Sequence, residues 1–452
     1  MRVLLPVVLL FTACAVPQTT PHFPAPSSAP SSAASSATPS AEALAPLQRR
    51  YRVAGLDRRD FNHEALWSAI GPIVDSAADL ARREVGRSAL GRPLYAVSFG
   101  HGPTRVLLWS QMHGNESTAT MALADVLRFL AEAPDDPLAR RLADGLTVLF
   151  VPMLNPDGAE RFQRRNAQGI DINRDARSLA TPEARALKGL QASFHPDFGF
   201  NLHDQNVRTR VGRSSRLAAI SLLAPAYDSA NSVNETRTRA LHVAAVVLDA
   251  VRPFVEGHVT RYDDTFNPRA FGDLMQHWGV STVLIESGGW HNDPEKQYLR
   301  RVNFVALLTA LDAIATGRYV NADPATYRAL PYNGRAVEDL LVHGGTIVAP
   351  GLPSYAADLA IQYSRPLRRQ GGRITDVGDL SQVEARDTLD VSGLYVHLRR
   401  APDAEVDAGP HVAPGETPAN FDVRRGPEPD SPLVWRILDG APQRVPADGS
   451  GF

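Results

Sequence analysis

The sequence predicts an α/β domain followed by a small β domain. Three observations point there. Between Tyr51 and about Val320, short apolar runs bounded by turn residues alternate with longer segments in which apolar residues recur every three or four positions. After Tyr319 the pattern changes to short β-branched runs separated by Gly-rich turns. At 452 residues the chain also exceeds the roughly 250–300 residues at which a single core stops growing, so one large and one smaller folded unit are expected.

In the first unit, taken as residues 51–320, strands are expected at Leu94 to Phe99, Arg105 to Trp109, Thr147 to Met153, Gly199 to Leu202 and Ser281 to Ile285. Helices are expected at Ser117 to Ala133, Thr181 to Phe194, Thr236 to Val251 and Glu295 to Thr316. The polar residues of interest follow strand ends: Met112-His113, Asn155-Pro156-Asp157-Gly158, His203 and Glu286. In open α/β sheets ligands bind beyond the carboxyl ends of the strands, so these positions are expected to converge.

The second unit is placed at residues 330–400, on runs such as Leu340 to Val348, Ala357 to Gln362 and Arg373 to Asp379. This stretch, with Thr388 to Leu394, resembles the β-sandwich segment that opens many amidohydrolases. The resemblance stops there, because residues 401–452 are short and rich in Pro, Gly and Asp and read as a tail rather than a metal-binding barrel.

The N-terminus reads as an export signal. Arg2 precedes an apolar stretch, Val3 to Phe11, too short to span a bilayer, and Thr12 and Ala13 precede Cys14, the chain's single cysteine. Leu10 to Cys14 resembles a bacterial lipoprotein box, which implies lipidation of Cys14 and a membrane-anchored protein facing the periplasm or the cell exterior; the alternative is a plain cleaved signal. A lone cysteine can form no intramolecular disulfide in an oxidising compartment. Residues 15–50, rich in Ala, Pro, Ser and Thr, read as a flexible linker. With 44% hydrophobic and 21% charged residues and a formal net charge of -2, the chain has no field of one sign to attract nucleic acid.

The chemistry lies in the first unit. His113 and Glu116 stand three apart at a strand-to-helix junction, where both can reach one metal ion. A catalytic zinc takes three protein ligands and leaves one position open, and His203, at another strand end, completes a His₂Glu set. Either histidine alone says little in a chain with 13 of them. Between them runs an ordered series: Asn155-Pro156-Asp157-Gly158, Arg164-Arg165-Asn166, then Asp171-Ile172-Asn173-Arg174.

These blocks, in this order and with Glu286 near the end of the unit, resemble the zinc carboxypeptidase family over roughly Tyr51 to Val320. The resemblance implies a mixed, mostly parallel sheet flanked by helices and one zinc ion per chain, bound by His113, Glu116 and His203. It implies that Glu286 is the general base and acid, that Arg164 stabilises the oxyanion, and that Asp171 orients His113. Arg165, beside Arg164, is the other candidate for the arginine. Asn173 and Arg174 would grip the terminal carboxylate of a peptide or peptide-like substrate, a task suited to a planar guanidinium. The implied activity is hydrolysis of the C-terminal amide bond of peptides.

The chain departs from the family at Asn115, where pancreatic-type members have arginine, and at Asp204-Gln205, where Ser-Tyr is usual. The family's mobile tyrosine is unassigned: Thr265 or Phe266 falls near its position, and Tyr262 slightly before it. Arg269 to Asp273 is the segment expected to line the side-chain pocket. A zinc-dependent deacylase of N-acyl amino acids and a non-catalytic binding lipoprotein are the alternatives.

Overall fold

The structure, a computed structural model, describes residues 39–349, 351–398, 414–415 and 417–446. The export signal, Cys14 and most of the expected linker lie outside the described residues. Among the described residues no helix is long and apolar enough to cross a membrane.

The first unit is built on an eight-stranded mixed sheet, as the sequence predicts. Its strands are β1 (Leu80–Arg87), β2 (Pro93–Phe99), β3 (Thr104–Ser110), β4 (Leu146–Val151), β5 (Phe198–Asp204), β7 (Ile220–Leu223), β8 (Val259–Arg261) and β9 (Ser281–Ser287), in the order β1-β2-β4-β3-β5-β9-β7-β8. A short β6 (Thr209–Val211) lies apart, paired with β10 (Asn333–Ala336) on the way out of the unit. Strands β4, β3, β5 and β9 run parallel, while β1, β2 and β7 join antiparallel.

The parallel strands are buried along most of their length, so β3 and β4 read as apolar runs rather than alternating ones, while β5 carries Asn201, His203 and Asp204 toward its carboxyl end. One face of the sheet is covered by α1 (Ala41–Arg50), α2 (His63–Ser76), α3 (Thr118–Glu132), α4 (Pro137–Gly145), α7 (Glu235–Val255) and α9 (Gln297–Ala315) in one large apolar cluster. The other packs against α6 (Pro182–Phe194) and α8 (Phe271–His277), with Trp109, Met112, Ile172 and Met275 in its core. Two short helices, α5 (Pro156–Glu160) and α10 (Pro324–Arg328), complete the unit.

Two expected boundaries are corrected. Ala41–Arg50, placed in the linker, is helix α1: Ser40 caps it, Glu42 and Arg49–Arg50 suit its dipole, and Leu44 and Ala45 enter the core. Its Gln48 donates 2.8 Å to the buried Asp125, which also pairs with the fully buried Arg300. The linker composition hid a helix whose one apolar face finds a partner only in the folded molecule.

The second correction concerns residues 401–452, whose part from Phe421 to Arg444 is not a tail. Strands β11 (Glu338–His343), β14 (Asp358–Arg365), β15 (Gln370–Gly378) and β16 (Ala385–Asp390) form one sheet. A second holds β12 (Thr346–Val348), β13 (Tyr355–Ala356), β17 (Tyr395–Leu398), β18 (Phe421–Arg424), β19 (Leu433–Leu438) and β20 (Ala441–Arg444). Phe421, Val423 and Ile437 meet Leu340, Ile361 and Ile374 of the first sheet in one buried cluster, so the two sheets form a sandwich. The alternation Phe421-x-Val423 was in the sequence, but Pro and Gly around it masked the strand.

Candidate metal centre and substrate cleft

The carboxyl ends of β3, β5 and β9 and the segments that follow them face a cleft of about 1150 Å³. His203 and Glu286 are not beyond their strands, as expected, but within the final residues of β5 and β9, where they are register partners on neighbouring parallel strands. Partners in such a ladder sit about 4.8 Å apart on one face, so the pairing places Glu286 beside His203. His113 follows β3 by way of Gln111, a residue held at positive φ.

The Asn155-Pro156-Asp157-Gly158 block explains the placement of His113. Asn155 Nδ2 donates to the carbonyls of Met112 (3.2 Å) and Arg164 (3.3 Å), tying the two site loops together, while its Oδ1 caps α5 through Gly158 N. The loops touch so closely that a Cβ on Gly114 would lie 2.0 Å from the Gly158 carbonyl carbon. Asp157 is buried and accepts from Ser88, Leu90 N and Arg92, which anchors the block to the β1–β2 turn.

The two imidazoles and the carboxylate meet. His203 Nδ1 lies 3.1 Å from His113 Nδ1 and 2.7 Å from a Glu116 oxygen, and His113 Nδ1 lies 2.8 Å from the other Glu116 oxygen. His113, Glu116 and His203 are all buried, and among the described residues they are the group able to offer three ligand atoms to one metal ion. The donor set fits zinc. Asp171 sits 3.0 Å from His113 Nε2, and because a carboxylate only accepts, Nε2 carries a proton and Nδ1 is the ring atom turned toward Glu116 and His203.

The three groups shift one another's protonation. Burial would lower the pKa of His113, but the Glu116 carboxylate and Asp171 outweigh it and raise it to about 9. Glu116, despite burial, is held well below the carboxylate range by His113 and His203. Burial pushes the His203 imidazole below its ordinary range. Glu286 is pushed up to about 8, by burial first and then by the negative charge of Glu116, a repulsion that a cation among the three donors would relieve.

Around this centre stand the other expected residues. Arg164 donates to Glu116 (3.1 Å) and to Asp171 (3.0 Å) and lines the cleft. Arg165, the other candidate, turns away: its Nη1 donates 2.9 Å to Gly169 O within its own loop and it lies outside the cleft lining. A one-residue step around the loop reverses the side chain's direction, which removes Arg165 from the set. Asp171 caps the turn Ile172–Arg174 by accepting from Asn173 N. That turn brings Asn173 and Arg174 to the cleft, with Asn173 Oδ1 accepting 2.9 Å from Phe271 N at the start of α8.

The structure adds residues that the sequence reading passed over. Tyr262, which the sequence reading placed slightly before the family's tyrosine, lines the cleft and is exposed, and Thr265 and Phe266 line it too. Burial and the charge of Glu286 raise its hydroxyl pKa. Asn201 lines the same cleft, and the strand period of two, which puts it on the face of His203, was the available signal. Of the expected pocket segment, Ala270, Gly272 and Asp273 line the cleft; Arg269 does not. Asp273, buried, is raised to about 6 by desolvation. Asp204 is buried among Thr118, Lys296 and Arg59, contacts between residues far apart in the chain for which spacing offers no signal.

The chain is 35% identical over 100 residues to "Carboxypeptidase 2" of Trichophyton rubrum, an alignment covering 22% of this chain and 18% of that protein. It is 29% identical over 136 residues to "Carboxypeptidase E" of Caenorhabditis elegans, covering 25% and 29%. The chain thus spans about a fifth of the length of the first curated relatives it matches. Among solved structures, a metallo-carboxypeptidase from Burkholderia cenocepacia is similar at 20% identity with a TM-score of 0.44, over 58% of this chain and 69% of that one. Residues 73–210, which carry His113, Glu116, Arg164, Asp171, Asn173, Arg174 and His203 and stop short of Glu286, match the family described as zinc carboxypeptidase.

Proposed function

We propose that this protein is a zinc-dependent carboxypeptidase that removes the C-terminal residue of peptides. The observation that carries the reading is the convergence of His113, Glu116 and His203 beside Glu286, in a cleft also lined by Arg164, Asn173 and Arg174. A zinc ion held by the three ligands would acidify water and polarise the scissile carbonyl. Glu286 takes the proton of the attacking water and delivers it to the departing amine nitrogen. Arg164, held at the metal centre by Glu116 at 3.1 Å, faces the negative charge that develops on the carbonyl oxygen. Arg174 and Asn173 bind the free carboxylate of the substrate, which sets the position of the bond that is cut.

Export and a lipid anchor at Cys14 belong to the same proposal, supported by the N-terminal pattern alone. Such an anchor would hold the enzyme on a membrane facing the periplasm or the exterior.

The test uses purified full-length protein. His113→Ala should lose both zinc and turnover, whereas Glu286→Gln should keep zinc and lose about 10²–10⁴ in kcat. Peptides with a free C-terminus should be cut and their C-terminal amides spared; N-acyl amino acids as the preferred substrates would establish a deacylase instead. Full activity in His113→Ala refutes the metal role.

A further inference from the structure

The β-sandwich grips the first unit where the metal centre is supported. Arg368, in the turn between β14 and β15, donates 3.0 Å to Glu295 and 3.3 Å to Asp60. Glu295 uses its other oxygen to accept from Arg59 N at 2.9 Å. The next residue, Lys296, begins α9 with a left-handed backbone (φ 54°) and a fully buried side chain. A non-glycine residue persists in that conformation only where its surroundings over-determine it.

Lys296 reaches into the floor of the site. Its ammonium lies 3.0 Å from Asp204 and donates 2.8 Å to the carbonyl of Ser287. Asp204 follows His203, and its backbone N–H donates 3.1 Å to the Glu116 oxygen that faces His203. Ser287 follows Glu286. One ammonium therefore ties together the ends of β5 and β9, the two strands that present His203 and Glu286 side by side. Arg59, held by Glu295, contacts Asp204 as well and donates to Asn115 O in the ligand loop.

We propose that the β-sandwich is a positioning element of the metal centre, with Arg368 acting through Glu295, Lys296 and Asp204 on His203 and Glu116. This rests on the zinc carboxypeptidase reading and extends it: the second unit is part of the working enzyme rather than an appendage. Arg368 touches neither ligand nor substrate, so it is a positioning residue.

The effect should be smaller than the roughly 10–100-fold that loss of a direct partner of a metal ligand costs. In the full chain, Arg368→Ala should weaken zinc affinity about 3- to 10-fold by chelator competition and lower kcat similarly, with KM changed by less than about twofold. Arg368→Lys, which keeps the charge, should restore most of both. Glu295→Gln should weaken zinc too, and the double variant should be no worse than the poorer single, because the two act in series. Wild-type zinc affinity in Arg368→Ala, or losses that multiply in the double variant, would overturn the proposal while leaving the hydrolase reading intact. A wild-type protein that binds no zinc would sink that reading and this proposal with it.

Discussion

Asp171 offers a measure of how far the metal centre depends on groups that never touch the metal. Its Oδ1 sits 3.0 Å from His113 Nε2 and accepts from Asn173 N, and its Oδ2 takes the Arg164 guanidinium at 3.0 Å. Against the effect of burial, the His113 contact and then the Arg164 ion pair hold its carboxyl well below the usual range. Asp171→Asn keeps an acceptor for His113 but changes a charge-assisted bond into a neutral one. The difference is about 1 kcal/mol, or roughly fivefold in zinc affinity. Asp171→Ala removes the orientation of the imidazole altogether and should cost about 2–2.7 kcal/mol, roughly 30–100-fold. It also uncaps the turn that carries Asn173 and Arg174, so KM for peptides should rise in the Ala variant more than in the Asn variant. Competition against a chelator of known zinc affinity reads the first effect and steady-state kinetics the second. An Ala variant that holds zinc within about twofold of wild type would show that the ligands need no such support.

Three further outcomes concern other polar and charged residues. Asp273 is raised from 3.8 to about 6 by burial, so the folded state favours its protonated form; that contribution is complete below pH 3.8 and is lost as pH rises through about 6. Asp273→Asn, still able to accept from Asn267 N, should therefore stabilise the protein by up to about 3 kcal/mol at pH 8 and hardly at all at pH 3.5; an equal gain in urea unfolding at both pH values would contradict the shift. Asp125→Ala leaves the fully buried Arg300 unpaired and should cost about 3–5 kcal/mol, against about 1 kcal/mol for Gln48→Ala, which removes only the anchor of α1; thermal unfolding that ranks them the other way would refute the argument. Arg174→Ala should raise KM about 30- to 100-fold with kcat less affected, if its guanidinium binds the substrate carboxylate in both ground and transition states; unchanged KM would remove Arg174 from that role.

By itself the sequence determined the alternation of strands and helices in the first unit, because burial of parallel strands and of helix faces is written in hydrophobic period. It also pointed to His113, Glu116 and His203, which the structure brings together, through their place among ordered blocks that resemble the zinc carboxypeptidase family. Arg164 and Arg165 could not be separated from a string of letters, as the direction of a loop side chain depends on which carbonyl the loop offers it, here Gly169 O for Arg165. Helix α1 and strands β18 to β20 were illegible for a related reason: marginal segments order only when another surface buries their few apolar residues. The contact of Lys296 with Asp204, and that of the distant Arg368 with Glu295, were decided by tertiary structure alone, because Coulomb and hydrogen-bond energies depend on distance in space and leave no period in the chain.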